Sequence, residues 1–420
     1  MTRRHRALTP SGYWLLGSTA ALVLAGILMV YSASSVADYV AYGDSAYHLK
    51  KQALFAAIGL VALLVASFWD FRSRRGELDP RRPDIIAWGV WAVAFIGLLA
   101  VEIIGVGKWG ATRSIDLGVA YVQPSEYAKL GCLLVTAVLV VAWRRGKLDT
   151  GPFLGWLAAA VAPTVVLIML QPDMGTTVSL VVGVFLLLVL GGLPLRWLVP
   201  SAVGGISAAF ALVWAAGYRM DRVTSFLDPW ADPTGGGYQI IQSLYAFGSG
   251  GIDGIGLGLS RQKYFYLPAA HTDFIFAVIG EEMGLIGSLA IVITFGIFAY
   301  SGFRIAWESR DLFGKLLAGG LTAMIVVQAL MNMAAVTGLM PITGIPLPLV
   351  SAGGSSLTLT LACVGLILAV SRYGGQARVR LVRPGKTRGS KSAGSVERRR
   401  DGRAHLSGVD GGRPTARRGA

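Results

Sequence analysis

Charge is scarce in this sequence. Asp, Glu, Lys and Arg make up 15% of its 420 residues, against 54% hydrophobic residues and a mean hydropathy of +0.59. A water-soluble globule of that length needs far more polar side chains to cover its surface, so that class is excluded. Cysteine is nearly absent too. Cys132 and Cys363 both lie inside apolar runs, where a free thiol packs as a small hydrophobe, and no disulfide framework follows. Histidine numbers four, and His271 has no second ligand at metal spacing, so no zinc site is read. Acidic residues are outnumbered, giving a net charge of +15. The Lys and Arg residues fall between hydrophobic runs and in the last fifty positions, which speaks for membrane topology and against nucleic acid as a partner.

What is abundant is apolar sequence in lengths that fit a bilayer. About 20 mostly apolar residues cross roughly 30 Å of hydrocarbon. Ten such stretches occur, at 12–34, 51–69, 84–104, 126–143, 153–170, 174–190, 194–216, 271–300, 313–337 and 356–372. The expected fold is an all-α polytopic membrane protein of about ten transmembrane helices. The run from Tyr13 is too long for a signal peptide and lacks a small-residue cleavage site, so it is read as an uncleaved first helix. With the N-terminus inside, cytoplasmic segments hold about 29 of the 38 Lys and Arg residues, which puts both termini in the cytoplasm.

Three parts follow from this layout: a cytoplasmic arm at 1–11, a transmembrane domain at 12–373, and a tail at 374–420. The tail is rich in Arg, Gly and Ser, cannot bury a core, and is expected to be a disordered basic cytoplasmic segment. A large extracellular loop, 217–270, separates the seventh and eighth spans. Within it, the run from Tyr238 to Phe247 places Ile241, Leu244 and Tyr245 on one helical face and Gln239 and Gln242 on another, which predicts a short interfacial helix.

Polar groups in hydrocarbon are costly, roughly 2.5 to 3.5 kcal/mol for a charge at a helix centre, and so mark candidate sites. Glu126 and Lys129 stand three apart on one helix face, where they can neutralise each other or serve a substrate. Asp273 opens the eighth span at its outer mouth. Thr272 or Asp273 can cap that helix, and the helix dipole would keep the carboxylate ionised as a general base requires; the two roles are compatible. Glu281 and Glu282 lie about 12 to 13 Å deeper at 1.5 Å per residue. Glu281 is nearer the Asp273 face, where it can line a shared cavity or bond to a neighbouring helix. Arg113, Arg261 and Lys263 are outer cations suited to a pyrophosphate, or to lipid headgroups. The connector 337–356 ends in Ser351-Ala-Gly-Gly-Ser-Ser356, whose amides before a helix can bind phosphate or form a re-entrant turn. It lacks the Gly-Lys-Ser/Thr ending of a P-loop.

Six runs together resemble the SEDS family of cell-wall polymerases, which act in division (FtsW), elongation (RodA) and sporulation (SpoVE). They are Gln123-Pro-Ser-Glu-Tyr-Ala-Lys-Leu130, Gln171-Pro-Asp-Met-Gly175, Asp228-Pro-Trp-Ala-Asp-Pro233, Gly237-Tyr-Gln-Ile-Ile-Gln-Ser243, His271-Thr-Asp-Phe-Ile-Phe-Ala-Val-Ile-Gly-Glu-Glu282 and Leu347-Pro-Leu-Val-Ser-Ala-Gly-Gly-Ser-Ser356. Two departures stand out. Ser114 replaces the family's usual Trp beside the retained Arg113, and Ala352 replaces its usual Tyr, a form that looks like actinobacterial FtsW.

The resemblance implies a ten-helix peptidoglycan glycosyltransferase that polymerises lipid II on the outer face of the cytoplasmic membrane, with Asp273 as the essential acid. Its implied partners are lipid II, the undecaprenyl-pyrophosphate-linked glycan, a class B penicillin-binding protein and other divisome proteins at the septum. Substrate contacts are expected from Arg113, Glu126, Lys129, Asp173, Lys263, His271, Glu281, Ser351, Gly353, Gly354 and Ser355. No dedicated metal cage is present, so a divalent cation, Mg or Mn, could only ride on the substrate pyrophosphate and carboxylate oxygens. Rival readings are a RodA-like elongation polymerase, a lipid II flippase that uses the intramembrane charges as a polar pathway, and a non-catalytic scaffold.

Overall fold

A computed structural model describes residues 7–69, 81–108, 111–116, 118, 121–214 and 217–374. Most of the expected basic tail and the first six residues of the N-terminal arm lie outside the described residues. The helices are α1 (Pro10–Tyr42), α2 (Tyr47–Ser67), α3 (Arg81–Ile104), α4 (Pro124–Arg144), α5 (Thr150–Leu170), α6 (Met174–Leu190), α7 (Leu195–Trp214), α8 (Gly217–Leu227), α9 (Tyr238–Gly250), α10 (Ile275–Glu308), α11 (Leu312–Val336) and α12 (Gly354–Gly374). A helix stands at each of the ten expected spans. Among the described residues eight helices are long and apolar enough to cross a membrane, and α6 is apolar but has 17 residues. The starts are chemically marked. Thr9 caps α1 by accepting from the Gly12 amide, with Pro10 at the first helical position, and Gly43 in the left-handed region ends that helix.

The helical membrane fold is as expected, with one small addition. The connector between α3 and α4 folds into a small antiparallel sheet, β1 (Val106–Lys108), β2 (Ala111–Asp116) and β3 (Tyr121–Val122), in the order β1-β2-β3, with Ile115 opposite Val122. Its β-branched residues suit pairing, and its Lys108, Arg113 and Asp116 are too polar to extend either helix into hydrocarbon.

α4 and α11 form the centre. Their apolar windows are 89% and 83% buried within the protein, against 17% for α2 and 22% for α3, whose outward apolar side chains suit lipid. α4 packs on α3 and α6, α11 on α6 and α10, and α2 lies along α12. Gly59 of α2 meets Leu361 and Gly365 of α12 meets Leu63, so small residues set the close approach.

The segment 217–270 is not an open loop. It holds α8, a short 3-10 turn at Pro229–Ala231, and α9. α9 is the predicted helix, but with a different buried face: Ile240, Ile241, Ser243 and Ala246 are buried, whereas Leu244 and Tyr245 are exposed. Packing on α10 and α11, with the Ser243 hydroxyl donating to the Val336 carbonyl at 2.6 Å, overrides the pattern expected of a helix lying on a lipid surface. Residues 250–256 then run down α10. Leu285 and Ile286 donate to the carbonyls of Gly251 and Ile252, and Ile255 and Gly256 donate to those of Glu281 and Glu282. This is possible because α10 breaks at Gly284 (φ 64°, ψ −159°), a conformation open only to glycine, freeing backbone groups that the incoming segment then satisfies.

Candidate active site

Asp273 sits in a tight turn just ahead of α10. Thr272 and Phe274 donate through their amides to the Ala269 carbonyl, at 3.0 and 3.3 Å, and Ala269 itself has positive φ. Three successive carbonyls then receive one hydrogen bond each from the far end of the chain. The Ala352 amide donates to His271 O at 3.0 Å, the Ser351 hydroxyl to Thr272 O at 2.6 Å, and the Asn332 amide group to Asp273 O at 2.7 Å and Ile345 O at 2.8 Å. The backbone of 271–273 is thus fixed by α11 and by the connector before α12.

The Asp273 carboxylate is no helix cap. Phe274 occupies the cap position of α10, with no side-chain hydrogen bond there. The capping role expected of Thr272 or Asp273 therefore fails, because the helix begins one residue further on and Thr272 bonds back to Ala269. The carboxylate instead faces Gly344, where an added Cβ would lie 3.8 Å from Asp273 Oδ2 and 3.9 Å from Arg222 Nη1. Burial pushes the Asp273 carboxyl up to about 6; the charges of Arg113 and Arg222 oppose this and Asp173 adds to it. A carboxyl poised near the working pH is better suited to proton transfer than one held deep in the acid range.

Arg222, on α8, went unnoticed in the sequence because it belongs to no motif; its guanidinium donates to Ile342 O at 3.2 Å. Arg113, on β2, donates to the carbonyls of Gln171 and Pro172 at the carboxyl end of α5, where a cation is favourable. Asp173 caps α6 through the Thr176 amide at 3.1 Å. Its other oxygen accepts from Gln123 Nε2 at 3.0 Å and Ser125 Oγ at 3.4 Å. Arg113, Arg222 and Asp173 thus all act electrostatically on Asp273.

Other expected site residues have other duties. Lys129 is fully buried, bonded to Glu126 at 2.9 Å and to Gln328 Oε1 at 2.7 Å; the pairing of Glu126 and Lys129 is as predicted, but both are enclosed by protein. Glu281 does not line a cavity with Asp273. Its carboxylate accepts from the Ser260 hydroxyl and from the amides of Arg261 and Gln262, because the inserted segment fills that level of α10. Glu282 accepts from Ser32 of α1 at 2.6 Å and from the Ser260 amide at 3.2 Å. Lys263 is buried beside it, 3.8 Å from a Glu282 oxygen and bonded to Gly258 O, so it is a strut and no free outer cation. The Ser351 hydroxyl is taken by backbone groups, as is that of Ser355, which bonds Tyr121 O at 3.0 Å. Gly353, Gly354 and His271 line a separate cavity. His271 packs against His48 at 4.6 Å between centroids, with the rings tilted at 43°; burial and the neighbouring His48 lower it to about 4, so it is neutral at pH 7.

Among the described residues no three His, Cys, Asp or Glu side chains gather to hold a metal ion. Asp173, the carboxylate nearest in charge to Asp273, has both oxygens engaged, so these residues do not fit a resident metal.

Residues 13–376 match the FtsW/RodA/SpoVE family, described as cell cycle proteins. The chain is 41% identical over 370 residues to stage V sporulation protein E of Bacillus subtilis (strain 168), covering 84% of this chain and 95% of that one. It is 40% identical over 365 residues to the probable peptidoglycan glycosyltransferase FtsW of Trichlorobacter lovleyi, covering 85% and 92%. Among solved structures it resembles, at 30% identity and a TM-score of 0.70, a chain of a complex described as structural coordination of polymerization and crosslinking by a peptidoglycan synthase complex, covering 88% and 99%. It also resembles the rod shape determining protein RodA of Thermus thermophilus, at 28% identity and a TM-score of 0.63, covering 88% and 98%.

Proposed function

Because the chain belongs to the FtsW/RodA/SpoVE family of cell cycle proteins, we propose that it is a peptidoglycan glycosyltransferase of the cell membrane that polymerises lipid II into glycan strands at the outer face. The observation that carries this reading is Asp273: a fixed, half-buried carboxylate, relieved of capping and poised near neutrality in the field of two guanidinium groups. In the proposed reaction the C4 hydroxyl of incoming lipid II attacks the anomeric carbon of the growing chain. Asp273 accepts the hydroxyl proton, inversion occurs at that carbon, and undecaprenyl pyrophosphate leaves. Arg222 and Arg113 offset the negative charge that gathers as the leaving group departs. A divalent cation, if one takes part, arrives with the substrate pyrophosphate.

The relatives named FtsW support a role in septal synthesis, and the likeness to a chain of a peptidoglycan synthase complex that coordinates polymerization and crosslinking supports a crosslinking partner, which we take to be a class B penicillin-binding protein. The test is to supply labelled lipid II to the purified protein with a candidate class B penicillin-binding partner and resolve the products by length. Strands many disaccharides long are expected. Transfer of intact lipid II across vesicles with no strand formed would replace the polymerase by a flippase.

A further inference from the structure

A polymerase that expels a pyrophosphate lipid needs cationic groups for that lipid, and three of the expected ones are otherwise engaged. Lys129 is closed in with Glu126 and Gln328, Lys263 is paired with Glu282, and Arg113 is bonded to two carbonyls. A cavity of about 340 Å³ opens beside residues 271–272, between the α1–α2 turn, the small sheet and the start of α12. Its walls include His48, Lys51, Tyr121, His271, Gly353 and Gly354, and among the described residues no carboxylate lines it. That volume lies in the range of small-ligand pockets, roughly 300 to 1,000 Å³.

The charges there are arranged for an anion. Lys50 faces away and pairs with Asp44 at 2.7 Å. Its neighbour Lys51 lines the cavity with Nζ 4.4 Å from the Tyr47 ring centroid, and among the described residues no carboxylate forms an ion pair with it. His48 is oriented from behind: its Nδ1 is held by the buried Asp38, which also accepts from Ser34 Oγ at 2.8 Å and the His48 amide at 2.9 Å. That leaves Nε2 as the ring's remaining polar atom. Gly353 and Gly354 bring the amino end of α12, with its partial positive charge, to the same wall, without a side chain to block a ligand.

We propose that this cavity holds the pyrophosphate group of a polyprenyl-linked substrate, with Lys51 as its principal charged contact. The inference rests on the glycosyltransferase reading and adds to it where the lipid headgroup is gripped. Because residues 271–272 form one wall, a ligand bound there sits against the same turn that carries Asp273.

The experiment is binding, with no turnover required. Full-length protein in a phosphate-free maltoside detergent is titrated calorimetrically with inorganic pyrophosphate and with farnesyl pyrophosphate, using wild type, Lys51→Gln, Lys51→Arg and Asp273→Asn. Charge-assisted hydrogen bonds to phosphate predict that Lys51→Gln weakens farnesyl pyrophosphate binding by at least about tenfold, while Lys51→Arg retains most of it. Asp273→Asn binds as wild type, so failure of the general-base assignment and failure of this site are told apart. A melting temperature matching wild type shows that Lys51→Gln is folded. Binding of farnesyl pyrophosphate unaffected by Lys51→Gln overturns the site, as does absence of binding to wild type. Lys51-dependent binding of inorganic pyrophosphate alone overturns its assignment to a lipid.

Discussion

At the scale of single residues, the chemistry turns on how a carboxylate is kept ready without being neutralised. Asp273 feels the opposing charges of two guanidinium groups, Arg113 and Arg222, each of which also donates to backbone carbonyl oxygens. Burial outweighs that field and lifts the carboxyl to about 6. The base form is therefore lost as pH falls through about 6. Initial rates of strand synthesis measured from pH 5 to 8 should be flat at the upper end and drop about tenfold per unit below the turning point. A rate that stays constant down to pH 5 would show that no group of this kind limits the reaction. The same shift bears on stability: with its folded-state value raised, Asp273 stabilises the fold only when protonated. That contribution is complete below about 4 and lost as pH rises through about 6. At pH 7.5, Asp273→Asn should match or exceed wild type in melting temperature.

At the scale of elements, two independent devices hold the fold, the first of them on α10. Its break at Gly284 lets residues 250–256 hydrogen-bond into the helix, and Glu281 and Glu282 then fasten the following residues, 260–263. Gly284→Ala should therefore be costly out of proportion to one methyl group. The conformation itself costs a non-glycine residue roughly 1 to 3 kcal/mol, and the new Cβ would meet the Ile252 carbonyl. Thermal unfolding in detergent should show a melting temperature lowered by several degrees; an unchanged value would mean the segment is not held as described. α4 and α11 meet through a second device, Glu126, Lys129 and Gln328. Removing one charge strands the other in the core, at about 3 to 5 kcal/mol, whereas Glu126→Gln with Lys129→Met removes both. Denaturation of the two single variants and the double one should show a favourable interaction energy between the sites. Simple additivity would contradict the coupling.

At the scale of the whole molecule, the helical framework was legible in the sequence because hydropathy in runs of about 20 residues is a strong and local signal. All ten runs became helices. The sheet at 106–122 was not legible, since strands of two to six residues carry no period long enough to read. The same distinction separates the site residues. Asp273 stood out by its position at a helix mouth and by the run around it, and the Glu126–Lys129 pair by its spacing. The role of Glu281 depended on a segment 20 residues away folding back onto α10, and helical periodicity could not foresee that. Lys51 stands at the start of a hydrophobic run with no motif around it, and only the packing of the turn before it, the sheet and the start of α12 puts it on one cavity. Arg222 lay in a stretch without a motif. Local pattern thus predicts what spans the bilayer, and long-range packing decides which charges are left to meet a substrate.

The decisive measurement is glycan strand length from labelled lipid II, with matched amounts of wild-type and Asp273→Asn protein in the same partner complex. An amide is nearly isosteric with the carboxylate but is no base near neutral pH, and loss of a general base costs about 10² to 10⁴ in rate. The account predicts no strands from Asp273→Asn, with folding, partner binding and lipid II binding intact. Near-normal strands from that variant would contradict it.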